Sequence, residues 1–224
     1  MTKTGKLIAV LALVLGVVAA AIPAGAFEDQ YYLGYAPRSH VAVDLNGDGR
    51  IDIATANRFA DNASVLINDG DSTFLPVVHY NVGDEPYSIC EADFDGDGDH
   101  DLAVANFFDH DVTLLFNDGN GVFDSRFDFP AGGLNPLAVC ATDFDNDGDF
   151  DIAVANWGDT TVAVLVNYGA SGFSATIQGI EVGALPHSIC AADLNGDGFP
   201  ELATANKGSG DISLLINDGA GGYE

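Results

Sequence analysis

The 224-residue sequence has little positive charge: seven Lys and Arg stand against 34 Asp and Glu, a formal net charge of −27. That scarcity excludes a basic footprint for DNA or RNA, because neutralising phosphates needs clustered Lys and Arg. Long apolar runs are missing beyond the first 26 residues, so nothing later reads as a membrane span. No segment carries ten residues of 3.6-period apolar pattern, which argues against helices. Yet 47% of the residues are apolar, too many and too regularly placed for a disordered acidic tail. The length fits one sizeable domain or a short repeat array. Twenty-seven glycines, with acids crowded into short runs, point to many turns and to metal.

Residues 1–26 have the form of a secretory signal. Lys3 and Lys6 open it, Leu7 to Ile22 form an uncharged stretch, and Pro23 precedes Ala24-Gly25-Ala26 as a small-residue cleavage pattern. The apolar run is shorter than the roughly 20 residues a spanning anchor needs. The mature chain would be 27–224, exported, with Arg38, Arg50, Arg58, Arg126 and Lys207 as its only bases. It would be secreted or held at a cell surface, and would not span a membrane.

Internal repetition settles the organisation. Asp44-Leu-Asn-Gly-Asp-Gly-Arg-Ile-Asp52 recurs as Asp93-Phe-Asp-Gly-Asp-Gly-Asp-His-Asp101, as Asp143-Phe-Asp-Asn-Asp-Gly-Asp-Phe-Asp151 and as Asp193-Leu-Asn-Gly-Asp-Gly-Phe-Pro-Glu201. The starts lie 49, 50 and 50 residues apart, giving units of about 31–80, 81–130, 131–180 and 181–224. After each loop comes a strand such as Leu102-Ala-Val-Ala-Asn106, then an apolar strand such as Val112 to Asn117 and a Gly turn ending on Phe74, Phe123, Phe173 or Tyr223. A Gly-x-x-Pro segment then closes on Pro37, Pro86, Pro136 or Pro186. The spacing predicts four strands per unit: one before the acidic loop (Ser88–Ala92), one after it, the apolar run, and an outer strand (Phe127–Pro130). Leu114 and Phe116 on one face and Leu115 on the other make the third strand apolar on both faces, so neighbours must cover both sides. An all-β fold follows, a β-propeller of four roughly 50-residue, four-stranded blades.

The acidic loop places acids or Asn at positions 1, 3 and 5, Gly at 6 and an acid at 9. Calcium takes six to eight oxygens from carboxylates and carbonyls. Alternate acids turn inward as the chain curls, Gly permits the turn, and position 7 offers its main-chain carbonyl. The ligands expected are Asp44, Asn46, Asp48, Arg50 and Asp52; Asp93, Asp95, Asp97, Asp99 and Asp101; Asp143, Asp145, Asp147, Asp149 and Asp151; and Asp193, Asn195, Asp197, Phe199 and Glu201. A single such loop could be a solvated turn. Four crowd carboxylates that repel one another without a cation, so up to four Ca2+ ions are expected.

A twelve-residue calcium loop fails here, because position 12 is Thr55, Val104, Val154 or Thr204. The ninth-position acid, the Ala-x-Ala-Asn strand and the Gly-x-x-Pro segment instead resemble the FG-GAP (VCBS-type) repeat, also found in integrin α-subunit propellers. The resemblance covers about 31–224 and implies that each loop joins a blade's first two strands. It departs at Asn46 and Asn195, neutral where an acid is usual, and at Glu201 beside Pro200. The first and last sites should therefore be weaker.

Cys90, Cys140 and Cys190 hold the same place in three units, where Val41 stands in the first. Neighbouring sheets stack about 10 Å apart, too far for a disulfide, so these read as small core residues. Among the histidines no metal-protease motif or Cys/His cluster occurs, and no catalytic constellation is visible. Asn62-Ala-Ser64 matches a glycosylation sequon.

Antiparallel strands put the acidic loops on one face of the disc. The other face varies between units and carries Arg58, Phe59, Tyr87, Phe107, Phe108, Trp157 and His187. Aromatics beside scarce bases on loops suit a glycan or protein ligand; the alternative is that these rings cap the blade ends. The resemblance implies a non-catalytic, calcium-stabilised binding or adhesion module. Related propellers also carry polysaccharide-lyase activity, which keeps a calcium-dependent polysaccharide-degrading enzyme as the second reading. The segment 30–34 matches an outer strand without its own blade, and the fourth unit stops where its outer strand should begin. The ring would close on itself with four blades, or belong to a larger ring, with self-assembly as one route.

Overall fold

The computed structural model describes residues 31–70, 73–169, 172–219 and 222–223; the signal segment 1–26 and Gln30 lie outside them. Fifteen strands form four antiparallel sheets. The first holds β1 (Pro37–Val43), β2 (Asp52–Asn57), β3 (Asn62–Leu66) and β4 (Val78–Asn81) in that order. The second holds β5 (Pro86–Ala92), β6 (Asp101–Asn106), β7 (Asp111–Phe116) and β8 (Ser125–Pro130). The third holds β9 (Pro136–Thr142), β10 (Asp151–Asn156), β11 (Thr161–Asn167) and β12 (Phe173–Glu181). The last has three strands, β13 (Pro186–Ala192), β14 (Glu201–Asn206) and β15 (Asp211–Leu215). Each sheet is a blade of an all-β propeller, and the expected order of four strands holds in the first three units; among the described residues the last shows only the first three of its expected strands.

The first strands pack in sequence, β1 on β5, β5 on β9 and β9 on β13. Alternation then decides which neighbour each side chain meets. Ala54, Ala56, Ala63 and Val65 of the first blade face Ile89, Leu102, Val104 and Leu115 of the second. Ala103, Ala105, Val112 and Leu114 turn the other way, onto Val139, Ile152, Val154 and Leu165 of the third. Small residues on one face against large ones on the next let the sheets approach closely, which explains the repeated Ala-x-Ala. Leu114 and Leu115 lie in different interfaces, as their alternation requires.

The Gly-x-x-Pro segment has a steric reason. A Cβ on Gly83 would stand 2.7 Å from Asn106 Cγ, and one on Gly133 would stand 2.6 Å from Asn156 Cγ. The asparagine closing each second strand is buried beneath that glycine, and Asn106 Nδ2 donates to Asp111 Oδ1 and Thr113 Oγ1, both at 2.8 Å. The residue before each proline is left-handed without being Gly: Ala36, Glu85, Asn135 and Leu185 have φ of +59°, +50°, +55° and +55°. That conformation costs about 1–2 kcal/mol. It aims each carbonyl at the turn between the blade's second and third strands, where Arg58, Phe107, Trp157 and Lys207 donate their N–H groups at 3.0–3.1 Å.

Cys90, Cys140 and Cys190 are free thiols on β5, β9 and β13. Burial pushes the Cys140 thiol up to about 12 and that of Cys90 well above its usual value, so neither is a ready nucleophile.

Candidate metal centre and ligand face

In the second loop, Asp93 winds the backbone around itself. Its Oδ1 accepts from the N–H of Gly96 at 2.8 Å and of Asp97 at 3.1 Å, and its Oδ2 from that of Gly98 at 2.9 Å. Gly96 and Gly98 take φ of +77° and +98°, the left-handed turns this curl needs. Asp101, at the start of β6, is fully buried and accepts from the N–H of Phe94 at 2.9 Å and of Asn117 at 2.8 Å. The curl brings carboxylate oxygens of Asp93, Asp95 and Asp101 within 4.8 Å of one another, and the third loop does the same with Asp143, Asp145 and Asp151.

Three carboxylates at this spacing resist ionising together. Burial first, and then the charges of Asp95 and Asp97, lift Asp101 from 3.8 to about 7 despite its two N–H donors. Asp151 is lifted equally, by burial and by Asp145 and Asp147. A proton or a cation must relieve such a group at neutral pH, and an all-oxygen donor set suits a hard divalent cation.

The first and last loops differ for a chemical reason. Asp95 Oδ1 accepts from the Asp97 N–H at 3.2 Å, and Asp95's second oxygen has no hydrogen to give. Asn46 and Asn195 accept the same bond with Oδ1, so each is left with an amide that donates. Asn46 Nδ2 donates to Asp48 Oδ2 at 2.9 Å, and Asp48 also pairs with Arg50. Asn195 Nδ2 donates to Asp197 Oδ2 at 2.8 Å and Glu201 Oε1 at 3.1 Å. These two loops satisfy their own carboxylates, and neither Asp44 nor Asp193 joins a three-acid cluster among the described residues.

Positions 5 and 7 are not members of the three-carboxylate clusters, although Asp97 and Asp147 sit against Asp95 and Asp145 and, after burial, raise them. Asp97 and Asp147 each accept the N–H of position 7 at 3.0 Å. The position-7 side chains turn away over the next glycine turn. A Cβ on Gly119 would lie 2.4 Å from Asp99 Oδ2, one on Gly169 2.6 Å from Asp149 Oδ2, and one on Gly219 2.7 Å from the Phe199 ring. Arg50 lies likewise beside Gly70. Only a main-chain carbonyl is left for a cation at this position, as its mixed chemistry in the sequence implies.

Sequence reasoning missed the asparagine after the third strand. Asn117 Nδ2 donates to the carbonyl of Leu45 in the preceding blade's loop at 2.8 Å, Asn167 to that of Phe94 at 2.8 Å, and Asn217 to that of Phe144 at 2.8 Å. Each also bonds its own loop, at His100, Phe150 or Pro200. The acidic loops are therefore chained together. The repeated Asn at the strand end was the available signal.

On the opposite face the variable residues meet. The Arg38 guanidinium lies 4.9 Å from the Tyr87 ring centre, and that of Arg58 lies 4.6 Å from Tyr87 and 4.5 Å from Phe59. Arg58 also pairs with Glu85 at 2.7 Å. Tyr87 then packs on Phe107 at 5.0 Å between centroids, and Phe107 on Phe108 at 5.2 Å and on Trp157 at 5.8 Å. Six of the seven residues expected on this face thus form one row across three blades. Phe59 and Phe108 are its exposed rings, 50% and 53% accessible. His187 is the seventh and lies elsewhere, in a shallow hollow of about 410 Å³ with Asn206, Lys207 and Asp211.

Among solved structures, the chain is similar to an Agrocybe aegerita lectin described as recognising non-reducing terminal N-acetylglucosamine. That match has 21% identity and a TM-score of 0.56 over 83% of this chain and 50% of that one. A putative 6-phosphogluconolactonase from Bacteroides uniformis matches at 16% identity and a TM-score of 0.62, over 84% of this chain and 52% of that one. The Pseudomonas aeruginosa periplasmic gluconolactonase matches at 20% and 0.57, over 84% and 52%. The chain spans about half the length of these three, and identities this low show the fold alone. No curated protein matches. Models of the FG-GAP-like repeat match residues 44–104, 93–154 and 143–204, each beginning at the first acid of a loop. The chain belongs to the FG-GAP-like repeat family.

Proposed function

We propose that this protein is a secreted or surface-held, non-catalytic binding module, stabilised by calcium, that takes a glycan on its aromatic and arginine row. The row carries the reading. A varied line of rings and guanidiniums, unlike the uniform loops behind it, is where one ligand would be told from another. Exposed Phe59 and Phe108 offer ring faces for the apolar side of a sugar, and Arg38 and Arg58 offer donors for its hydroxyl or acid groups. The similar folds include a lectin, and the exposed rings are what favour a glycan over a protein ligand. The lactonases among them keep an enzyme as the rival, and a lyase remains the form the family suggests.

Calcium would sit first in the second and third loops, held by Asp93, Asp95 and Asp101 and by Asp143, Asp145 and Asp151. Its chemistry there is charge neutralisation and cross-linking of the loop to the following strand. A glycan array run on wild type and on Phe108→Ala, beside a reducing-sugar and unsaturated-product assay, tests the ligand reading. Binding that falls at least tenfold in the variant, with no turnover, is expected. Polysaccharide cleavage, or array binding untouched by the substitution, overturns it. Amino-terminal sequencing of exported protein should begin at Phe27.

A further inference from the structure

Phe59 and Phe108 hold the same place in their blades, in the turn between the second and third strands, one residue past Arg58 and Phe107. Gly158 and Gly208 stand there in the other two units. Phe108 is 53% accessible although its blade has a neighbour on either side, so the exposure belongs to the position and not to an uncovered end of the array. Tyr35, two residues before Pro37, lies 6.0 Å from Phe59 between centroids and is exposed, as is its equivalent Leu134 in the third blade, which is also flanked. The way from Phe59 to Phe108 runs over Arg58, Tyr87 and Phe107 in links of 4.5–5.2 Å. Two bare rings thus occupy equivalent places on neighbouring blades, one sheet-packing step or about 10 Å apart. A single sugar ring, much the size of the benzene ring it lies on, covers one of them and not both.

The ground between the two rings is charged, and the charge has a sign. Arg58 and Glu85 neutralise each other, Glu85 Oε2 accepting from Nε at 2.9 Å and from Nη2 at 2.7 Å. Beside them stand Asp61, whose Oδ1 accepts the Glu85 N–H at 3.0 Å, and Asp109, whose Oδ2 accepts the Asp84 N–H at 2.7 Å. Desolvation first, and then the charges of Asp61, Asp109 and Glu85, raise Asp84 above its usual carboxylate value. Another negative group laid here meets Asp61, Asp84 and Asp109 at close range. It also approaches a chain of formal charge −27, whose repulsion reaches about a Debye length of 8 Å. Hydroxyls suit the same ground, because a carboxylate accepts their hydrogens in the stronger, charge-assisted kind of bond.

We propose that the row holds an internal run of a linear, uncharged polysaccharide lying across the first two blades, with one sugar ring on Phe59, another on Phe108 and the hydroxyls between them on Asp84 and Glu85. This rests on the glycan reading of the row and narrows it twice. The ligand is a chain rather than a terminal sugar, and it carries hydroxyls rather than acid groups. Chain length matters because a chain held at one ring presents its next residues to the other at a high effective concentration, so the two contacts reinforce each other. The glycines at 158 and 208 leave the third and fourth units without such a ring, so the gain is confined to the step between the first two blades.

The test is titration calorimetry of the full protein in calcium-containing buffer. The probes are β-1,4-linked oligosaccharides of one to six residues built from glucose, xylose, mannose or N-acetylglucosamine, and oligogalacturonates of the same lengths. At least one uncharged series should bind, its affinity rising at least tenfold between one residue and four. The oligogalacturonate of four residues should bind at least tenfold more weakly than that uncharged chain. Phe59→Ala and Phe108→Ala should each cut the length gain to under threefold, with unchanged circular dichroism. Equal affinity at one residue and four, a length gain untouched in both variants, or tighter binding of the oligogalacturonate overturns the inference and leaves a glycan site standing. No binding by any series overturns the glycan reading and this inference together.

Discussion

The side-chain amide of Asn117 donates to the main-chain carbonyl of Leu45 at 2.8 Å, joining residues 72 apart and two successive blades. The same amide reaches the His100 carbonyl at 3.0 Å, and its Oδ1 accepts the Gly121 N–H at 3.0 Å. One buried side chain therefore fixes a turn, its own acidic loop and its neighbour's. Asn117→Ala should destabilise the fold by about 2–3 kcal/mol, because it strands buried carbonyls as well as removing bonds. Urea unfolding of the two proteins under one set of conditions measures it; a loss under about 0.5 kcal/mol would mean the carbonyls find water.

Calcium removal should lower the melting temperature. A site with free calcium about 100-fold above its dissociation constant contributes about 2.7 kcal/mol, a large share of an ordinary 5–15 kcal/mol stability. Differential scanning calorimetry with calcium and with EDTA checks this, and identical melting in both would remove calcium from the account.

The four loops should not bind alike. Titration calorimetry should resolve two tighter sites, abolished one each by Asp95→Ala and Asp145→Ala, and two weaker ones. Asn195→Asp exchanges a donating amide for an acceptor and should tighten the fourth site about tenfold, or about 1.4 kcal/mol. No gain in the variant would show that Asn195 is not what weakens that loop.

The pH dependence has a definite sign. Asp101 and Asp151 are raised from 3.8 to about 7, so their contribution to folding is fully present below about pH 4 and fades as pH rises through 7. In EDTA these two groups should make the protein less stable from pH 5 to pH 8. Calcium must displace their protons, so its affinity should climb over the same interval and level off above it. Melting curves at both pH values, with and without calcium, should slope in opposite directions.

Gly83→Ala tests the close approach to Asn106. A Cβ there would fall 2.7 Å from both Asn106 Cγ and Asp109 Oδ2, and overpacking of this kind costs about 1–3 kcal/mol. Ala36→Gly, which relieves a left-handed residue of φ +59°, should by contrast cost no stability. Equal effects would mean that the asparagine moves aside.

The repeat, the strand order and the cation-seeking loops were legible because each rests on local spacing. Asp93 to Asp101 states its own curl through Gly at two fixed positions, and Leu114 and Leu115 announce two opposed interfaces. That the outer loops differ was legible as well, since Asn46 and Asn195 carry donating amides where Asp95 carries a carboxylate. What stayed hidden depends on pairs far apart in the chain. Asn117 looked like turn chemistry because its partner Leu45 belongs to another unit. Phe107 could be placed on a variable face, but its contacts with Tyr87 and Trp157 need the blade-to-blade offset that only packing supplies. The hollow that His187 shares with Asn206, Lys207 and Asp211 was hidden for the same reason.

The loop-to-loop asparagine bond always links a residue to one about 72 or 73 positions earlier, one unit back plus a fixed step. Such an architecture is modular in the genetic sense. A duplicated or deleted stretch of one period would re-form the same joints with whichever unit then came before it, so relatives with different unit numbers could arise by recombination without any joint being reinvented.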